Sequence, residues 1–145
     1  MIKKIVLTVF VIILFAVGAL IWAFSGRDPL QQYLSQRSQR TSLTLKSVFT
    51  DGERFGLVCH GATDKEISDL AGKSIPAPAE DKNLIIVVTG KNATAYEYKR
   101  SEIDFCSMQT GAPYTVKSSD GNDTLTFVQP EQTPRWVLQD PTFFN

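Results

Sequence analysis

The residues of this 145-residue chain best equipped for chemistry are Cys59, His60 and Cys106, its two cysteines and its single histidine. A thiolate beside an imidazole is a nucleophile pair in principle. Neighbours along a strand, however, point to opposite faces, and a cysteine nucleophile needs its base close in space rather than in sequence. One histidine cannot build a zinc site, which takes three or four N, S or O ligands. There is no CxxC redox motif either. Two cysteines allow one pairing, so the expectation in an oxidising compartment is a structural Cys59–Cys106 disulfide. That bridge would restrict the unfolded chain by ~4 kcal/mol on the loop-entropy model.

The stretch Asp120-Gly121-Asn122-Asp123 offers three oxygen-bearing side chains in four residues. It lacks the alternating spacing and the distal bidentate Glu of a calcium loop, and its residue types are those a tight turn requires. No metal site is expected. The triplet Asn92-Ala93-Thr94 reads as turn chemistry in the same way. GxSxG, HExxH and a phosphate-binding glycine loop are all missing. No cofactor and no enzymatic activity are therefore expected.

The remaining chemical feature is charge. Residues 51–81 carry seven acidic side chains (Asp51, Glu53, Asp64, Glu66, Asp69, Glu80 and Asp81) against Arg54, Lys65 and Lys73. A solvated helix face with loops accounts for such a run. The functional alternative is a negative surface that steers a basic protein partner, with Asp51, Glu53, Asp64, Glu66 and Asp69 as the binding residues. The whole chain balances 15 basic against 15 acidic residues, and removing Lys3 and Lys4 leaves 13 against 15. That balance argues against a nucleic-acid partner, which calls for a basic patch.

Residues 5–24 set where these groups work. They form a run of twenty without a charge, preceded by Lys3 and Lys4. A hydrocarbon core ~30 Å thick needs roughly 20 apolar residues at helical rise, so the run is long enough to span a bilayer. Its one polar side chain is Thr8, able to bond back to a carbonyl one turn earlier, and Trp22 sits where an indole favours headgroups. A cleaved signal peptide has an apolar core of ~7–15 residues. Cleavage after Val17-Gly18-Ala19 would leave an apolar mature terminus, and cleavage at Ala23-Phe24-Ser25 needs an unusually long core. An uncleaved signal anchor is expected, with a cleaved, soluble periplasmic form as the alternative. No cysteine precedes Cys59, so a lipoprotein anchor is not expected. Lys3 and Lys4 bias the topology toward N-terminus inside and C-terminal domain outside.

Beyond the anchor, Asp28-Pro29 opens a helix whose Leu30, Tyr33, Leu34 and Arg37 recur at helical spacing. Its polar remainder makes it either a stalk or a helix laid on the domain. Residues 42–49 and 54–60 read as strands around hairpin punctuation at 50–53. Thr63-Asp64-Lys65-Glu66 is a capping box that starts a helix with Ile67, Leu70 and Ala71 as its stripe and Gly72 as its stop. Residues 73–83 form a loop, and 84–89 the most apolar strand, central and buried on both faces. Residues 93–99 follow as a strand, 100–108 are ambiguous, and 114–117 and 124–129 flank a second hairpin turn.

These elements predict an α+β fold: an N-terminal transmembrane helix followed by a small antiparallel-sheet domain of five to seven strands, one or two helices and one disulfide. Val87, Leu57, Phe127 and Trp136 are its expected core. The expected organisation is an anchor at 1–26, a polar helical stalk at 27–41 and an extracytoplasmic domain at 42–145. About 120 residues after the anchor suffice for one domain and not two.

Prepilins and pseudopilins also join an apolar N-terminal helix to a disulfide-bonded head. Their processing motif puts a Gly just before the apolar run and a Glu a few residues into it, and this run has neither. In layout the chain resembles small bacterial inner-membrane-anchored periplasmic proteins. The function expected from that layout is binding. The head would act as an immunity or inhibitor protein that neutralises an envelope-acting toxin or hydrolase, with residues 5–24 in the lipid bilayer. The alternative is an accessory or scaffold subunit of a cell-envelope complex.

Overall fold

The computed structural model describes residues 28–107, 115–130 and 133–139, preceded by helical residues at 6, 8–9 and 11–16. Most of the C-terminal half of the expected anchor, with Gly18, Ala19 and Trp22, lies outside the described residues, as do residues 140–145. Among the described residues no helix is long and apolar enough to cross a membrane.

The head begins with α1 (Pro29–Ser35), started by Asp28, whose Oδ1 accepts from the Leu30 and Gln31 amides at 2.9 and 3.2 Å. Of the two expectations for this segment, the helix laid on the domain is the one realised: Leu30 and Leu34 are buried in the main core. Tyr98 fastens the same corner, its hydroxyl donating to both Asp28 oxygens at 2.7 and 2.8 Å. Burial, and then the Asp28 charge, push the Tyr98 phenol far above its ordinary value, so it stays protonated and donates.

Eight strands are present among the described residues: β1 (Arg40–Thr44), β2 (Arg54–Val58), β3 (Lys82–Thr89), β4 (Asn92–Lys99), β5 (Ile103–Asp104), β6 (Val116–Ser119), β7 (Thr124–Val128) and β8 (Trp136–Leu138). They form two four-stranded sheets, in the orders β1-β7-β8-β5 and β4-β3-β2-β6. Every pairing is antiparallel except β5 with β8, which run parallel with Ile103 opposite Trp136 and Asp104 opposite Val137. The α+β class with mainly antiparallel sheets is as expected. The count exceeds the expected five to seven because β5 and β8, two and three residues long, are too short to show a period in sequence.

One core draws on both sheets and α1, with Phe55, Leu57, Ile85, Val87, Leu125, Phe127 and Trp136 among its members. A second core lies between the β2–β3–β4 sheet and α3 (Asp64–Ala71), through Val58, Ile67, Leu70, Leu84, Ile86 and Val88. Successive β3 residues therefore serve the two cores in turn, which is why 84–88 is apolar without alternation. The four expected core residues are all buried. Helix α3 follows its sequence signals closely. Thr63 and Glu66 complete the capping box, and Gly72 ends the helix in the left-handed region at φ 71°.

Two expectations are corrected. Residues 42–49 are not one strand: the chain leaves β1 at Thr44 and makes a helical turn, α2 (Leu45–Val48), whose first amides Thr44 Oγ1 caps by accepting from Ser47 N. Neither predicted hairpin pairs its flanking strands. β1 and β2 belong to different sheets, and so do β6 and β7. Each turn carries the chain from one sheet to the other, and the two crossings meet where Lys46 N donates to the Gly121 carbonyl at 3.1 Å. A crossing between sheets needs the same Gly, Asp and Asn punctuation as a hairpin, so the local pattern cannot separate the two.

Candidate functional site

Cys59 directly follows β2 and Cys106 lies just beyond β5, and their sulfurs are bonded as expected. Because β2 and β5 belong to different sheets, the bridge staples the two layers together. It also consumes the one candidate thiolate next to His60. The imidazole itself is exposed, with Nδ1 3.3 Å from the Pro78 carbonyl.

Buried Asn83 reinforces the same junction. Its amide donates to the carbonyls of Tyr98 and Ile103 and its oxygen accepts from the Phe105 amide, joining β3 and β4 to the β5 segment. The Asp120–Asp123 turn keeps its oxygens for itself: Asp120 Oδ1 accepts from Asn122 N, and Ser119 Oγ donates to Asp123 Oδ2. The Asn122 amide holds the Asp120 carboxyl below its ordinary value. Among the described residues no cluster of His, Cys, Asp or Glu could hold a metal ion.

All five acidic residues assigned to partner binding are exposed, but they are not one continuous set. Asp51 and Glu53 sit in the crossing before β2, beside the end of β3, where Thr89 Oγ1 donates to the Asp51 carbonyl and Glu53 N donates to Val88 O. Asp64, Glu66 and Asp69 lie on α3. Two of these have local duties. Glu66 Oε2 accepts from Thr63 N at 2.7 Å and Thr63 Oγ1 at 2.9 Å, and these bonds lower its carboxyl. Asp69 pairs with Lys65 at 2.6 Å across one helical turn and raises that ammonium. Among the described residues, Asp51, Glu53 and Asp64 are the three of these side chains with no such local role.

A different group of residues converges most closely, and charge counting along the sequence did not reveal it. Asp104, on β5, has a side chain only 1 % exposed. Its Oδ1 accepts from Arg100 Nε (3.2 Å), Cys106 N (2.9 Å) and Ser107 N (2.9 Å). Its Oδ2 accepts from Arg100 Nη2 (3.3 Å) and Ser107 Oγ (2.7 Å), with Arg135 Nη1 3.6 Å away. Burial on its own would raise this carboxyl. The bonds from the Ser107 hydroxyl, Arg100 and the two amides outweigh it, and the net direction is downward.

Around this ion cluster lies a surface cleft of about 740 Å³ lined by Glu80, Asp81, Lys99, Arg100, Ser101 and Arg135, together with Asp104 and Ala79. The signal that could have exposed it is Asp104 itself, an acid between Ile103 and Phe105 in an otherwise apolar setting, where a charge must be paired. Arg100 four residues before it is a natural partner, whereas Arg135 arrives only through the parallel β5–β8 pairing. The chain finds no match among protein families, curated proteins or solved structures.

Proposed function

We propose that this chain is a membrane-anchored extracytoplasmic binding protein of the immunity or inhibitor type, held at the bacterial inner membrane with its head in the periplasm. The head neutralises an envelope-acting toxin or hydrolase by direct contact. The observation that carries this reading is the Cys59–Cys106 disulfide stapling the two sheets, a device suited to an oxidising compartment. The apolar side chains at 11–16, Phe15 at 78 % exposure among them, favour residues 5–24 as a bilayer segment. Binding is favoured over catalysis because Cys59 is spent in the bridge and Asp104 is saturated with donors, leaving neither as nucleophile or base.

The acidic residues offered to a basic partner fall in two places, Asp51 and Glu53 in the crossing before β2 and Asp64 on α3, where Glu66 and Asp69 lie on the same helix. Cells expressing the chain should survive challenge by envelope-acting toxins of their own neighbourhood. A triple Asp51→Lys, Glu53→Lys, Asp64→Lys variant should lose that protection while its thermal midpoint is retained. Undiminished protection would remove this surface from the account.

One observation favours the second reading, an accessory or scaffold subunit of an envelope complex. The Tyr98–Asp28 bonds fix the head from residue 28 onward, so few residues separate it from the end of the apolar run. Exchanging residues 1–26 for an unrelated anchor separates the readings: an inhibitor tolerates the exchange, a subunit with lateral helix contacts does not.

A further inference from the structure

We propose that the cleft between residues 79–81, 99–101 and Arg135 is a binding site for a peptide carboxylate, with Arg135 as its principal ligand and Lys99 as its second. The argument starts from Asp104. Three donors already occupy each side of its carboxylate at hydrogen-bond distance or, for Arg135 alone, just beyond it. Arg100 spends Nε and Nη2 on Asp104, Nη2 again on Ser107 Oγ, and Nη1 on the Glu80 carbonyl. It neutralises the buried charge and has little left to offer.

Arg135 is in the opposite position. Its one polar neighbour among the described residues is Asp104 at 3.6 Å, too long for a hydrogen bond. The charge of Asp104 holds the guanidinium at the cleft wall, yet its planar fork of donors is unspent there. With Arg100 already balancing Asp104, Arg135 is not needed for that charge, and Lys99 lines the same cleft as a second cation. A guanidinium fork matches the two oxygens of a carboxylate.

The acidic wall narrows the ligand class. Glu80 and Asp81 line the same cleft and repel a compact polyanion such as phosphate. They suit an anion that carries its own N–H or ammonium groups, which describes a peptide terminus or a short zwitterionic peptide. This site is separate from the acidic surface of the proposed function and stands or falls without it.

The test uses the oxidised, folded chain and glycylglycine as probe, with glycylglycinamide and inorganic phosphate as controls. Titration should shift the Arg135 Nε–H resonance saturably in the millimolar range, the affinity a small probe with one ion pair reaches. Arg135→Gln should weaken binding about 10-fold and Lys99→Gln about 3-fold, since a bidentate charge-assisted pair contributes more than a point charge. Among the described residues the Arg135 guanidinium has Asp104 as its ion partner, at 3.6 Å, so the variant should fold, and Lys99→Gln is an exposed change that serves if it does not. Equal binding of the amide, tighter binding of phosphate, or a dissociation constant unchanged in both variants would overturn the assignment.

Discussion

Asp104 carries more of this molecule's polar organisation than any other described side chain. Asp104→Asn keeps the shape but turns an amide toward Arg100 and removes the charge that holds both arginines. Breaking a buried pair by removing one partner costs ~3–5 kcal/mol. The Arg100 and Arg135 side chains are 30 % and 39 % exposed, so water recovers part of the loss and about 3 kcal/mol is expected. The carboxyl also sets an acid limb. Its folded value is depressed, so its stabilisation is complete above the unfolded value of about 3.9 and is lost as pH falls from there through the folded value. The Asp104 contribution to the thermal midpoint should stay level down to about pH 4, and below that the wild type should fall more steeply than Asp104→Asn. Parallel slopes would show that other carboxylates dominate the acid limb.

At the scale of elements, α3 and β2 meet at Gly56. A Cβ there would lie 1.9 Å from Leu70 Cδ2, so β2 can approach the helix only because this position has no side chain. Gly56→Ala should cost ~1–3 kcal/mol, the usual range for forcing extra volume into a packed core. Adding Leu70→Ala opens the space that the new methyl needs, and the double variant should be more stable than the sum of the two single losses predicts. Chemical denaturation of the four species measures this, and simple additivity would mean that α3 shifts as a body instead.

Helix α3 was legible in advance, because a capping box, an apolar stripe and a left-handed glycine are all local. The strand read across 42–49 was not. Leu43 and Leu45 fit a period of two, but both are buried across a bend from β1 into α2, where Thr44 caps the turn. The partner acids show the same limit. Spacing marked Glu66 and Asp69 as surface charge, while Glu66 is committed to its own cap and Asp69 to Lys65.

For the whole molecule the disulfide is the main covalent constraint. Cys59 and Cys106 are 47 residues apart, and closing such a loop in the unfolded chain is worth ~4 kcal/mol on the chain-entropy model. A Cys59→Ala, Cys106→Ala variant should lose about that much in denaturant titrations. Because the Cys106 amide also donates to Asp104, the same variant should loosen the cleft, read as faster amide exchange at 104–107 than at β3. A loss confined to global stability, with that segment still protected, would show that Asn83, Arg100 and the β5–β8 pairing hold it without the bridge.

The sequence by itself determined what depends on neighbours or on counting. Two cysteines allow one bridge, residues 84–88 have no polar face to expose, and Thr63 to Gly72 encode a helix with both of its ends. Tertiary structure alone decided which strands share a sheet, since a turn that closes a hairpin and a turn that crosses between layers use the same residues. It also decided the cleft. Residues 79–81, 99–104 and 135 converge only because β5 lies parallel to β8 in one register, and no local period records a pairing between segments that far apart.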